Sequence, residues 1–349
     1  MVSMVETQSE GQQDLQVGEI LVDAQNITKH FPLETGLIAN MLSRGEIPSV
    51  KAVDGVSFFI RKGEVFGLAG ESGSGKSTIA RLVLRLLELT DGKILFNGID
   101  LHSLSMEDMR HMRSRMQLVF QDPLASLNPR MTIGRAIEHP AQIHFPELTD
   151  DQRKERVLEI LEAVGLVPAG NFYDLYPHQI SGGQRQRIVL ARALVTRPEL
   201  IVADEPIAMA DVSVRALLLD QMLELKDNFD LTYLYITHDL ATAKYICDRI
   251  GILYLGKLVE IGEINLLFSK PLHPYTQALL AAVPVPDPRM RRTEALPKGE
   301  IPNPINPPSG CRFHPRCPFA EEICSKEEPL LRELKPEHQV ACHFAEKFA

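Results

Sequence analysis

Short apolar runs alternate with longer amphipathic stretches along most of this chain, which is the pattern of strands interleaved with helices. Ile20-Leu21-Val22-Asp23-Ala24 opens a strand that carries on towards Thr28-Lys29-His30-Phe31. The segment from Pro32 to Ser49 interrupts it, and Val53 to Ile60 resumes the alternation. Glu64 to Ala69 reads as a short buried strand, and Ile79 to Leu87 then has apolar residues at helical spacing. Further on, Asp91 to Gly98 predicts a turn, a strand and a turn. Met116 to Phe120, Leu200 to Ala203 and Leu231 to Thr237 are further buried strands, and Gly251 to Ile261 is a hairpin turning at Gly256-Lys257. Between about Pro123 and Pro177 the pattern is helical, clearest over Asp151 to Val164. Two more helices are expected, from Ser181 to about Val195 and from Val212 to about Asn228.

Strands that alternate with helices imply a mainly parallel sheet covered on both faces. Ligand-binding loops in such sheets gather at the carboxyl ends of the strands. There the chain places its most specific motif, Gly70-Glu71-Ser72-Gly73-Ser74-Gly75-Lys76-Ser77-Thr78. It fits the phosphate-loop pattern, and the strand before it and helix after it are the context that pattern requires. Glycines let successive N–H groups turn inward to a phosphate, and the helix start adds partial positive charge. Lys76 then reaches the β- and γ-phosphates and the Ser77 hydroxyl ligates Mg²⁺. Asp204-Glu205 ends another buried strand: Asp204 suits Mg²⁺, and Glu205 suits a base that polarises the attacking water. Gln121 offers donor and acceptor to both metal and water, and His238 falls level with these loops. A polar strand end and a structural histidine are the plainer readings of those two. Ser181-Gly182-Gly183-Gln184 opens a helix and is a second anion-binding end. It meets a shared triphosphate when two chains pack head to tail. Phe31 either stacks on a nucleotide base or belongs to the core.

With 349 residues, one large or two smaller units are expected. The hydrophobic share of 44% and charged share of 24% are those of an ordinary globular chain. A net charge of -9 argues against a chain built to coat nucleic acid. No apolar run reaches bilayer length, and residues 1–19 lack the basic start and apolar middle of a signal peptide, so a cytoplasmic chain is expected. Residues 1–18 have little to bury and are expected to be a mobile tail.

Beyond Pro271 prolines crowd the chain, which predicts a separate C-terminal module without a large apolar core of its own. Cys311, Cys317, Cys324 and Cys342 are separated by five, six and seventeen residues. Zinc sites usually begin with tighter pairs, although His314 and His343 could serve as ligands. Four thiolates also suit an iron–sulfur cluster, and independent reduced thiols are the third reading. Cys247 is read as a small buried side chain.

The phosphate loop, Gln121, Ser181 to Gln184, Asp204-Glu205 and His238 together resemble the motif set of an ABC-transporter ATPase subunit over residues 20–265. Val119 to Pro129, His273-Pro274-Tyr275-Thr276 and Gly310 to Pro318 resemble the oligopeptide/dipeptide importer branch. The resemblance implies an α/β phosphate-loop NTPase core with N-terminal antiparallel strands. It also implies a helical insert at about 123–182 and a Pro- and Cys-rich extension over 266–349. It implies ATP and Mg²⁺, with Phe31 on adenine, Gln121 coupling to membrane subunits and Glu205 as base. A four-iron, four-sulfur cluster on the four cysteines follows from the same resemblance. Implied partners are a second ATPase subunit, two transmembrane permease subunits and, indirectly, an extracytoplasmic solute-binding protein, at the cytoplasmic face of the membrane.

One segment departs from the family. Pro206-Ile207-Ala208-Met209-Ala210-Asp211 stands where Pro-Thr-Ser-Ala-Leu-Asp is usual; Asp211 is kept, the hydroxyls are not, and an asymmetric ATPase pair is expected. An oligosaccharide importer is the alternative cargo. A soluble ABC ATPase of translation or repair, or one that senses redox state through its cluster, is the competing class. The single motif set and the absence of sustained heptads argue against the translation and repair types.

Overall fold

The computed structural model describes residues 19–33, 48–208, 212–283 and 299–349. The expected tail at 1–18, most of the interruption after Pro32, and Asp211 lie outside them.

β1 (Ile20–Pro32) and β2 (Ser49–Arg61) pair antiparallel, Ile20 against Arg61 and Pro32 against Ser49. β3 (Val65–Ala69) leaves this layer and runs through the glycine loop into α1 (Lys76–Val83). β4 (Asp91–Phe96) and β5 (Ile99–Asp100) return to it and complete a four-stranded sheet in the order β2-β1-β4-β5. After α2 (Met106–Arg115) and β6 (Met116–Val119) comes the helical block, whose longest members are α3 (Ile133–His144) and α4 (Asp150–Ala163). No strand interrupts it. α5 (Gly182–Leu194), β7 (Leu200–Asp204), α6 (Val212–Phe229), β8 (Thr232–Thr237) and α7 (Leu240–Ile246) follow. β9 (Arg249–Tyr254) and β10 (Lys257–Glu263) form the predicted hairpin. The C-terminal part adds α8 (Pro274–Ala282), β11 (Arg332–Lys335) and β12 (His338–Val340).

The main sheet runs β11-β12-β10-β9-β3-β8-β7-β6, with the stretch from β9 to β6 parallel throughout. Its strands divide their side chains between two faces, as a period of two requires. Val65, Ala69, Ile201, Ala203, Tyr233 and Tyr235 join one core with the helical block. Phe66, Leu68, Leu200, Val202, Leu234 and Ile236 join the other with α1 and the antiparallel sheet. Burial on both faces is why these strands read as continuous apolar runs. Thr132, Thr149 and Ser181 cap α3, α4 and α5 with their side chains, which fixes where each helix starts.

The structure differs from the sequence expectation in two places. The helix after the glycine loop stops at Val83, not Leu87: Arg85 turns left-handed at φ 46°, and its guanidinium donates to the carbonyls of Leu101 and Leu104. The apolar run there is split between core and surface, with Leu82 buried and Leu86 exposed. The C-terminal part is also not a separate module. β12 extends the main sheet by pairing Glu260 with Val340, and Phe313 lies in the main core. Its own apolar cluster is small: Leu272, Val340 and Ala345.

Candidate functional site

Strand register assembles the site. β8 lies between β3 and β7, with Ala69 level with Thr237 and Asp204 level with Ile236. Val119 of β6 is level with Ala203. The residues that leave these four strand ends are the phosphate loop, His238, Glu205 and Gln121, and they converge at one edge of the sheet.

The phosphate loop is closed by its own lysine. Lys76 Nζ donates to the carbonyls of Gly70 at 2.7 Å and Glu71 at 3.0 Å. Burial lowers the basicity of Lys76, while Glu205, Asp204 and Glu71 act in the opposite direction. Gly75 is required by geometry: its φ is +111°, and a Cβ there would stand 2.2 Å from the Ala52 carbonyl oxygen. Ser72 and Gly73 are exposed, whereas the Ser74 hydroxyl is buried without a hydrogen-bond partner. Thr78 is half-buried in the first turn of α1.

Beside the loop, Ser77 Oγ donates to Asp204 Oδ1 at 3.2 Å. Burial raises the Asp204 pKa and the Ser77 hydrogen bond opposes the rise. These oxygens, with the amide oxygen of Gln121, are the hard donors that Mg²⁺ takes, so the residues fit that ion. Glu205 is bound on both oxygens: Gln121 Nε2 donates to Oε2 at 2.9 Å, and His238 Nδ1 lies 2.9 Å from Oε1. Its backbone is left-handed at φ 49°, a costly conformation for a residue with a side chain and one that gathers at working sites. Its N–H is tied to the Ile236 carbonyl at 2.9 Å, which holds that turn against β8.

Ser181 and Gln184 form a reciprocal capping box, at 3.2 Å from Gln184 N to Ser181 Oγ and 2.9 Å from Ser181 N to Gln184 Oε1. Ser181 and Gly182 are exposed, and a Cβ on Gly182 would meet nothing within 4 Å. Among the described residues no hydrogen bond joins this cap, Gly183 included, to the phosphate loop of the same chain. Phe31 is half-buried on β1 beneath the Lys29 ammonium, 5.2 Å from its ring centre, and lies outside the core clusters. Ile207 of the divergent loop is buried in the main core.

The four C-terminal cysteines line one small cavity with Phe313 and Phe319. Among the described residues no group of three or more His, Cys, Asp or Glu is arranged to hold a metal ion. The four thiols share a cavity without forming a set of metal ligands. Burial, and secondarily the other cysteines, push the Cys311 thiol up to about 12 and the Cys342 thiol up to about 11. The cavity they share is mostly apolar, with Phe344 and Phe348 also in its wall. Cys247 is buried as expected.

Two residues at the phosphate loop carry no signal of that place in the sequence. Tyr275 Oη accepts from Glu71 N at 2.9 Å, and Arg316 binds both oxygens of the Glu71 carboxylate. Only a fold that brings positions more than two hundred residues apart into contact reveals them.

A phosphate loop, a carboxylate pair and a histidine bound to the second carboxylate, at the carboxyl edge of a parallel sheet, define a nucleoside-triphosphate hydrolase. Comparison with known proteins sharpens the class. Residues 53–208 match the family model "ABC transporter", and residues 259–324 match "Oligopeptide/dipeptide transporter, C-terminal region". The oligopeptide transport ATP-binding protein AppF of Bacillus subtilis is 48% identical over 328 residues, 93% of this chain and 97% of that one. A putative peptide import ATP-binding protein of Brucella ovis is 50% identical over 322 residues, 92% of this chain and 97% of that one. Among solved structures, the dimeric post-hydrolysis state of the ATP-binding cassette MJ0796, bound to ADP and Pi, aligns with a TM-score of 0.59 at 28% identity. It covers 70% of this chain and 99% of that one. The chain belongs to the ATP-binding proteins of ABC transporters, in the oligopeptide/dipeptide branch, and is an ATPase. No helix among the described residues is long and apolar enough to cross a membrane.

Proposed function

We propose that this chain is the ATP-driven motor subunit of an importer for oligopeptides or dipeptides, docked at the cytoplasmic face of the membrane on two transmembrane permease subunits. The observation that carries the reading is the Glu205 carboxylate held between Gln121 and His238 beside the phosphate loop. Relatives named for oligopeptide transport and peptide import support the cargo. Phe31 stacks on adenine, and residues 71–78 wrap the phosphates, with Lys76 exchanging its carbonyl partners for phosphate oxygens. Ser77, Asp204 and Gln121 hold Mg²⁺, which when bound neutralises phosphate charge. Glu205 orients and polarises the attacking water, and His238 contacts the γ-phosphate. Residues 19–265 form the nucleotide-binding domain, and 266–349 the extension docked on it.

Ser181, Gly182, Gly183 and Gln184 of one ATPase chain close on the nucleotide held by the other, and Asp211 lies at that junction. The open face of the cap supports an action in trans, as does the dimeric form of a solved relative. The divergent loop favours a heterodimer, each half cycling between closed with ATP and open after hydrolysis. A solute-binding protein acts indirectly, through the permeases. No nucleic acid takes part. Cys311, Cys317, Cys324 and Cys342 hold a four-iron, four-sulfur cluster that staples the extension.

Purification of the tagged full-length chain from membranes tests this reading. Two permeases and a second ATPase are expected to accompany it, with ATP turnover stimulated by a peptide-loaded binding protein. Recovery of the chain with ribosomes or DNA-repair proteins in their place would contradict it.

A further inference from the structure

An acidic residue is an awkward member of a phosphate cradle. Its charge repels the ligand that the loop exists to hold, and it competes for the loop's own lysine. Glu71 is the one carboxylate between Gly70 and Thr78, and it acts electrostatically on Lys76. It is not left free. Arg316 Nη1 donates to Oε2 at 2.8 Å and Nη2 donates to Oε1 at 3.0 Å, the fork geometry that makes arginine–carboxylate pairs strong and directional. The Arg316 side chain is only 8% exposed. Its guanidinium lies within 6 Å of the ring centres of Tyr254, at 5.8 Å, and Phe313, at 5.9 Å. The Glu71 backbone is held as well, through its N–H to Tyr275 Oη at 2.9 Å and its carbonyl to Lys76 Nζ at 3.0 Å.

We propose that Arg316 is a positioning residue for ATP binding: it neutralises Glu71 and turns that carboxylate away from the triphosphate, so that the loop presents Lys76 and its N–H groups alone. Arg316 lies in the turn between Cys311 and Cys317, so the same contact ties the geometry of the cysteine cavity to the phosphate loop. The proposal rests on the phosphate loop being the ATP site.

Equilibrium binding of Mg·AMP-PNP to the full-length chain, followed by calorimetry, tests it. Arg316→Met keeps the apolar contact with Tyr254 and Phe313 and removes the charge; it is expected to weaken binding about tenfold. Adding Glu71→Gln to that variant is expected to recover most of the loss, and Arg316→Lys, which keeps the charge without the fork, to fall between. Thermal melts of all variants report whether they fold. Unchanged affinity in folded Arg316→Met would overturn the proposal. So would a double variant that melts like the parent and still binds as weakly as the single one, because a purely structural arginine is not rescued by removing its partner's charge. Lys76→Ala separates the two readings: if neither it nor any other variant changes binding, the ATP site itself is misplaced.

Discussion

His238 Nδ1 lies 2.9 Å from Glu205 Oε1, and the other oxygen of that carboxylate accepts from Gln121. A carboxylate bound on both oxygens is restrained, which orients its lone pairs before substrate arrives. Replacing Glu205 by Gln removes the charge and keeps the size. Phosphate release should fall by about a hundredfold or more while ATP binding survives. Unimpaired turnover would show that another group polarises the water.

His238→Ala removes one of the two restraints and the expected γ-phosphate contact. We expect kcat to fall about tenfold or more with KM changed much less, because the loss is felt at the reacting phosphate and not at the base or ribose. Steady-state kinetics over a range of ATP concentrations check it. A rise in KM at constant kcat would place His238 in uniform substrate binding.

Glu260 is the polar centre that docks the C-terminal extension. It is fully buried and accepts from Leu272 N at 2.7 Å and His273 N at 3.0 Å, with His338 Nε2 at 2.7 Å from the same carboxylate. Glu260→Ala leaves two backbone donors and a histidine without their partner and should cost about 3 kcal/mol of stability. Thermal denaturation with a circular-dichroism readout checks this; a melt like the parent's would mean that the extension docks by other contacts.

The cysteine cavity makes a prediction about metal removal. With folded thiol pKa values near 12 for Cys311 and 11 for Cys342, metal-free protein keeps these thiols protonated at pH 8. Iodoacetamide should therefore modify them far more slowly than in urea-unfolded chain. The unfolded chain ionises first as pH rises, so the fold binds more protons across the window from about 9 to 12 and loses stability there. Anaerobically purified protein should carry iron and absorb near 400 nm, roughly where iron–sulfur charge transfer falls. Absence of both would remove the cluster.

Sequence made the phosphate loop and its flanking strand legible because glycine, lysine and serine have fixed spacing within one turn of chain. Asp204, Glu205 and His238 were legible as strand ends, since buried strands announce where they stop. The left-handed turn at Glu205 was not, because no local pattern requires it. The Arg85 turn was missed because leucines on two sides of a short helix look like one longer helix. Glu71 with Arg316 and Glu260 with His338 were invisible for another reason: the partners lie 245 and 78 residues apart, brought together by the turn at His314–Arg316 and by the pairing of β12 with β10.

Labelling the membrane-purified complex with an ATP analogue photoreactive at the γ-phosphate is the most direct test of closure in trans. If Ser181–Gln184 covers the other ATPase chain's nucleotide, that segment is labelled even when this chain carries Lys76→Ala. Labelling that vanishes with Lys76→Ala, or that never reaches the segment in the ATP-loaded complex, would contradict the account.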